Sequence, residues 1–475
     1  MLLSFIFFLL VFMTVGLLSA RVRKNNRSDY YLAGFTVKPW LVGLSAMATN
    51  LSGYMFIGLI GFTYVTGLSS IWLMFGWIVG DFIVSFFIHK PLREATESHH
   101  QFSYAGVLAN YWSGQNYYYV QKIAALLLIF LLMSYASAQM LAGSKALLAL
   151  INWPLEAGVI VSAIMIALYC WAGGIRASVW TDAAQALVMV IAMALMLWIG
   201  IDNQGGVSNT IQNWKSMDGY LNWFPNDTVF PGVPGALLFA VGWLFGGISI
   251  IGQPHIMIRF MMLDNIHHFT KARVWYYSWY AIFYLMATGV GMLARLIMPE
   301  QGSFDAELAL PLIASELLPS VFAGVVLAGL FAATMSTADS LVLSCSSAIT
   351  QDLKDRGIQS MNYIKGTTII VTIVAMLFAL SGSESVFDVV MFSWSGLGSC
   401  FAPLLLIYAL GKRPDQLTII TMMISGLAIV VIWRELLGWN VYLYEAMPGI
   451  IGGIFVYYAM TWLKGLIKHV QESVA

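Results

Sequence analysis

The 475-residue chain is 60% hydrophobic and only 10% charged, with 23 basic and 23 acidic side chains. A soluble domain is nearer one quarter charged, so the composition reads as a polytopic membrane protein. A net charge of zero offers no basic face to a nucleic acid. Cys170, Cys345 and Cys400 all lie in apolar stretches, without metal spacing or a disulfide framework.

Hydropathy predicts an all-α fold with 13 transmembrane helices. The segments are 2–20, 39–65, 68–89, 119–146, 157–175, 180–201, 235–259, 274–297, 319–349, 363–382, 388–410, 416–435 and 446–465. Each is near the roughly 20 residues that cross a bilayer. Segment 1 has no preceding positive charge and is followed by Arg21-Val-Arg-Lys, so it reads as a retained span with an external N-terminus, not a signal peptide. Alternation then puts the C-terminus in the cytoplasm. Only Lys145, Lys215, Arg295 and Arg434 remain outside, and the other basic residues lie inside. The expected place is the inner (plasma) membrane. Residues 202–234 and 298–318 form outer loops, the second with a short helix from Ala306 to Leu318. Residues 94–118 read as an inner interfacial helix. Residues 1–475 form one transporter domain on this reading.

Segment 2 carries Thr49-Asn-Leu-Ser-Gly-Tyr54 at mid-depth, a run poorly suited to lipid. Segment 7 clusters Gly246, Gly247, Gly252 and Pro254, which weaken a helix. Open backbone inside a membrane is tolerated only in protein or beside a wet cavity. Two broken helices five segments apart point to inverted repeats, about 39–201 and 235–410, with substrate and ion held between them. The competing reading is close helix packing through small residues.

In segment 9, Ser336, Ser340 and Ser344 share a face, flanked by Thr337 and Asp339. Sodium is a hard cation that takes oxygen ligands, and these hydroxyls with carbonyls freed in segment 2 would supply them. Serine bonding back to its own helix is the alternative. Asp81, Asp182 and Asp339 lie in or near apolar spans, where an ionisable group marks a functional site by default. For Asp182 the competing reading is an N-cap. Asp339 is expected to face Asp182, with a second sodium or a proton between them. His255, in the segment 7 break, reads as a buried hydrogen-bonding residue. No nucleophile–base set or phosphate loop appears, so no enzyme is expected.

Asp29-Tyr-Tyr-Leu-Ala-Gly, Leu44-Ser-Ala with Ser52-Gly53, Gly173-Gly with Trp180-Thr-Asp, Gly252-Gln-Pro-His with Arg259-Phe-Met, Met335-Ser-Thr, Ser346-Ser-Ala-Ile-Thr-Gln-Asp-Leu and Trp394-Ser-Gly-Leu-Gly follow one another along the chain. In this order the set resembles the sodium/solute symporter family, nearest its proline-transporting members. The resemblance implies a LeuT-type core of five plus five helices and alternating access. It places sodium on carbonyls of Ala48, Leu51 and Ala333 with hydroxyls of Ser336 and Thr337. It places a second cation or proton site at Asp182, Ser336, Asp339 and Ser340. Tyr135 matches a substrate-site tyrosine. The proline carriers have an aspartate where this chain has Asn50, and aromatic residues where it has Gly246 and Ile250; Asp339 is an added carboxylate.

The expected substrate contacts are Asn50, Ser52, Gly53, Tyr135, Trp243, Gly247, Ser249 and Gln253. With no Arg or Lys expected at mid-depth in segments 2 or 7, a substrate carboxylate would meet backbone N–H groups at a half-helix start. The functional expectation is a sodium-coupled symporter, working as a monomer, that imports a small organic solute, proline first among amino acids. A monocarboxylate, a sugar acid, another metabolite or a non-transporting solute sensor are the alternatives.

Overall fold

A computed structural model describes residues 1–22, 24–112, 117–298, 302, 304–354, 357–382 and 385–474. Among them there are helices and no strands, only one isolated bridge. The long helices are α1 (Leu2–Ser19), α2 (Pro39–Phe56, continued by Gly58–Thr66), α3 (Ile71–Ser98), α4 (Tyr118–Ile151), α5 (Leu155–Gly173), α6 (Ile175–Asn203), α7 (Val233–Ile248), α8 (Phe269–Ile297), α9 (Ser320–Ser347), α10 (Met361–Ser381), α11 (Val386–Ala409), α12 (Gln416–Val431) and α13 (Ala446–Val474).

Among the described residues, 12 helices are long and apolar enough to cross a membrane, against the 13 expected. The difference is α2, which is divided into two pieces and is rich in Ser, Thr, Asn and Gly around the division. Burial orders the rest. The most apolar stretches of α9 and α11 are 89% buried, whereas those of α1 and α13 are 22% and 17% buried. The centre is therefore α9, packed by α2, α4 and α6, and the outer helices face lipid.

Local chemistry fixes the breaks. Ser52 has φ 50° and ψ 175°, a left-handed conformation open almost only to glycine, so the α-helix cannot pass through it. In α7 the helix tightens to a 3₁₀ turn over Ser249–Gly252, and Pro254 starts a second piece, Pro254–Met261. At neighbouring ends of the two broken helices, Val37 N–H donates to Met262 O (3.3 Å) and Asp264 N–H donates to Val37 O (3.0 Å). These bonds join the chain entering α2 to the chain leaving α7.

Of two loop expectations, one holds and one changes. Ala306–Leu308 and Ala309–Leu317 are helical, close to the expected outer helix, although 299–301 and 303 lie outside the described residues. The 94–118 segment is not an interfacial helix. Its first residues extend α3, and the short helix Tyr104–Ala109 is buried at every position. Its small apolar residues fit between helices, and Ser103 caps its first turn by accepting from Gly106 N–H (3.1 Å).

Candidate ion and solute site

The break in α2 turns two carbonyls toward α9. Ser336 Oγ donates to Ala48 O (3.0 Å) and Thr337 Oγ1 to Thr49 O (2.9 Å); both also reach Ala333 O, at 3.1 and 3.2 Å. All five residues are buried. Carbonyl and hydroxyl oxygens converge here from two helices, the donor set a hard monovalent cation takes. With the ion bound, each hydroxyl would turn its lone pair inward. Leu51, the residue before the break, is buried beside them. Thr49 O is an addition that the sequence reading did not include.

One helical turn inward, the structure brings Asp182, Asp339 and Ser340 together, and adds Arg259. The guanidinium lies between the two acids, with Nη2 3.2 Å from Asp182 Oδ2 and 4.0 Å from Asp339 Oδ1. It also donates to Ser178 Oγ (2.7 Å), Ser45 Oγ (3.2 Å), His255 O (2.9 Å) and Ser340 Oγ. Ser45 Oγ in turn donates to Asp182 Oδ2 (2.6 Å), and Ser178 Oγ to Asp339 Oδ1 (2.9 Å). The charge count of the sequence places Arg259 among the inner basic residues, at the end of segment 7. The restart of α7 at Pro254 instead turns this residue into the protein, where it is fully buried. Asp182 is not an N-cap, because α6 begins at Ile175. The cluster holds two carboxylates and one guanidinium, and Asp182 Oδ1 and Asp339 Oδ2 have no hydrogen-bond partner.

Beside the α2 break, Asn50, Ser52, Tyr54, Trp77, Tyr135 and Trp394 enclose a cavity of about 10 Å³, completed by Tyr280 and three apolar side chains. That is room for about one water. No lining side chain is charged. Asn50 Oδ1 and the hydroxyls of Tyr54, Tyr135 and Tyr280 are buried with no hydrogen-bond partner. Unpartnered polar atoms on one small cavity are what a missing polar ligand would satisfy.

The other expected contacts take different places. Gly53 N–H donates to Gln139 Oε1 (2.7 Å) and Tyr54 N–H to Ser52 Oγ (3.2 Å), so the first donors of the second half-helix are already engaged. Gly247 lies on the backbone of α3, where a Cβ would meet Gly76 O at 2.6 Å. Ser249 Oγ donates to Phe245 O (2.6 Å). Gln253 Nε2 donates to Trp394 O (2.9 Å), which ties the α7 break to α11. Both ring nitrogens of His255 lack a partner, so it is buried, as expected, but not hydrogen-bonded through its side chain.

Trp243 lies one layer further out. It lines an outer vestibule of about 350 Å³ with Phe62, Phe387, Arg434, Tyr444 and others. A stack of rings separates this vestibule from the small cavity: Tyr54 lies on Trp77 and Phe387 (centroids 6.4 and 5.5 Å), and Tyr444 on Trp77 and Trp243 (5.7 and 5.4 Å). From the short helix Tyr104–Ala109, Tyr104 OH donates to Ile251 O (2.5 Å), a carbonyl freed by the α7 break. Burial pushes the Tyr104 phenol well above its usual range, so it stays a neutral donor. The sequence reading missed Tyr104; its place in a run of small apolar residues was the available signal.

The geometry agrees with relationships to known proteins. The chain is 28% identical to the sodium/proline symporter of Escherichia coli (strain K12) over 95% of its length and 91% of that protein. It is 27% identical to the sodium/proline symporter of Staphylococcus aureus (strain USA300) over 96% and 91%. In fold it is similar to a Na⁺-coupled sialic acid symporter (TM-score 0.80, 18% identity, 97% of both chains). It is also similar to Mhp1, a nucleobase-cation-symport-1 family transporter (TM-score 0.56, 14% identity, 92% of this chain and 95% of that one). The fold is thus the LeuT type, with sodium as the coupling ion. Residues 30–435 match the sodium:solute symporter family, and the chain belongs to it.

Proposed function

We propose that the protein imports a small neutral or zwitterionic solute together with sodium, and that the solute is an amino acid, proline first. The observation that carries this is the closed cavity beside the Ser52 break, uncharged, walled by aromatic rings and ringed by four unpartnered polar atoms. Rings supply apolar surface for a small hydrocarbon body. Asn50, Tyr135 and Tyr280 supply the hydrogen bonds that set orientation. A sugar acid or monocarboxylate carries a net negative charge that the uncharged lining does not balance, whereas a zwitterion is neutral as a whole; Arg259 is held on its two acids.

Sodium would sit on Ala48, Leu51, Ala333, Ser336 and Thr337, where it holds the broken half of α2 against α9. Solute binding would then draw the Tyr54–Trp77–Phe387 stack closed, and parting of Tyr104 from Ile251 would open the inner path. Each of the repeats 39–201 and 235–410 would supply one of the two interrupted helices that move. The cluster at Asp182, Ser336, Asp339 and Ser340 would accept a second cation or a proton alongside Arg259, since it carries one carboxylate more than its guanidinium neutralises. The N-terminus would lie outside and the C-terminus in the cytoplasm, and the monomer would suffice.

Purified protein in proteoliposomes should accumulate labelled proline only under an inward sodium gradient. Tyr135→Phe should raise the proline KM about fivefold, as expected for one lost hydrogen bond of ~1 kcal/mol, without moving sodium activation. Uptake of a different solute from a panel, with proline ignored, would overturn the assignment of substrate. Solute binding without gradient-driven accumulation would identify a sensor.

A further inference from the structure

Asp81 on α3 belongs to none of the sites above. Its side chain is fully buried and neither carboxylate oxygen accepts a hydrogen bond. His89, on the same helix face, is equally buried, and neither ring nitrogen has a partner. His89 Nε2 stands 4.0 Å from Asp81 Oδ1, and its ring stacks on Phe260 with centroids 3.9 Å apart.

The facing wall is α8. The Tyr276 and Tyr277 hydroxyls stand beside the carboxylate, with Tyr280 a turn away. Arg273 is the nearby cation, but its guanidinium donates to Ser85 O (2.7 Å) and lies over the Phe86 ring at 4.4 Å. From α7 come the backbone of Gly247 and the ring of Phe260. From α2 comes Asn50, whose Nδ2 donates to Tyr276 OH at 2.5 Å.

A buried carboxylate with two phenols beside it, and the nearby guanidinium engaged elsewhere, is poorly stabilised as an anion. Unsatisfied polar groups clustered in a folded core call for an explanation beyond packing. We propose that Asp81 and His89 form a binding site for one exchangeable proton, read at the solute cavity through Tyr276 and Asn50. With the proton absent, the carboxylate draws the Tyr276 O–H toward itself, and the phenol oxygen is left to accept from Asn50. With the proton on Asp81, the acid donates to a tyrosine oxygen and competes with Asn50 for it. Asn50 lies two residues from the Ser52 break and lines the cavity, so proton occupancy changes how that side chain faces the solute. The site is separate from the Arg259 cluster, which has its own acids and its own base.

The test has two arms. Sodium-driven proline uptake by the full chain in proteoliposomes should fall at least fivefold from mildly acidic to alkaline pH, and Asp81→Asn should flatten that profile while sodium activation persists. This arm rests on the proposed solute. The second arm does not: infrared difference spectra of the purified protein, taken without sodium or solute, should show a protonated-carboxyl band that fades at alkaline pH. The band should be absent in Asp81→Asn, and in His89→Gln it should fade at a different pH. If Asp81→Asn does not fold, His89→Gln decides alone. Identical pH profiles in variant and wild type, or a band indifferent to both substitutions, would overturn the proton site; failure of proline uptake with the band behaving as described would overturn only the substrate.

Discussion

Arg259 Nη2 and Asp182 Oδ2 meet at 3.2 Å with neither side chain reaching solvent, and Asp339 stands on the other side of the same guanidinium. Removing one member of a buried ion cluster leaves an uncompensated charge, at about 3–5 kcal/mol. Arg259→Gln should therefore lower thermal stability sharply, and Arg259→Gln with Asp339→Asn should recover part of the loss. Melting followed by tryptophan fluorescence in detergent reads both. Additive losses would mean that the two residues act independently.

Asp339→Asn alone addresses the second cation or proton site. The variant keeps the shape of the cluster but removes the surplus carboxylate, so uptake should show a lower sodium Hill coefficient or an altered pH profile. Wild-type behaviour in both measurements would leave Arg259 as the only cation that this cluster holds.

Ser336 and Thr337 each present a hydroxyl to a carbonyl of α2. Ser336→Ala and Thr337→Ala should each raise the sodium concentration for half-maximal uptake about tenfold, near 1.4 kcal/mol per ligand, with little change in expression. Unchanged sodium activation in both variants would move the coupling ion elsewhere.

Tyr104→Phe removes a single hydroxyl on the inner side, the donor to Ile251 O. The inner path should then open more readily. A cysteine placed at Ser249 should react faster with a membrane-impermeant thiol reagent added from the cytoplasmic side. Equal labelling rates with and without the Tyr104 hydroxyl would show that it does not hold the path shut.

Asp264 is accessible to pH. Partial burial pushes its carboxyl up, but hydrogen bonds from His268 and Lys38 more than offset this and hold it below the usual carboxylate range. A depressed carboxyl contributes stability above its unfolded pKa of about 3.9 and loses it as pH falls through the lower folded value. The melting-temperature gap between wild type and Asp264→Asn should therefore be present at neutral pH and close at strongly acidic pH. The gap should be small, because Lys38 is solvent-exposed and an ion pair with an exposed partner is worth little.

The membrane class and most spans were legible because hydropathy over long windows is a strong signal. The α2 break was legible in Ser52-Gly53, but the left-handed residue is the serine; glycine was the natural choice on propensity, and tertiary packing decided otherwise. Ser336, Thr337 and Asp339 were legible as polar residues in an apolar helix. Arg259 was misplaced because a continuous segment 7 would have ended near it, at the inner interface. Only the restart at Pro254 shows that it points at Asp182 and Asp339. The signal was present, since Arg259 sits within Ile256-Met-Ile-Arg-Phe-Met-Met, an apolar setting for a cation. Trp243 reads as cavity-lining because it lies inside a span, but it stands about a turn and a half before the 3₁₀ turn at Ser249 and lines the vestibule instead.

The two backbone bonds that join Val37 to Met262 and Asp264 have a consequence for energy conversion. They splice neighbouring ends of the two interrupted helices, one carrying the Ala48 and Thr49 carbonyls and the other Arg259 and the Ile251 carbonyl that Tyr104 holds. A carrier whose two arms swing separately can let the ion through without its cargo and dissipate the gradient. With the arms spliced, an uncoupled swing must first break paired main-chain bonds. Slippage is thereby discouraged by the backbone itself, with no dependence on which side chains occupy the splice.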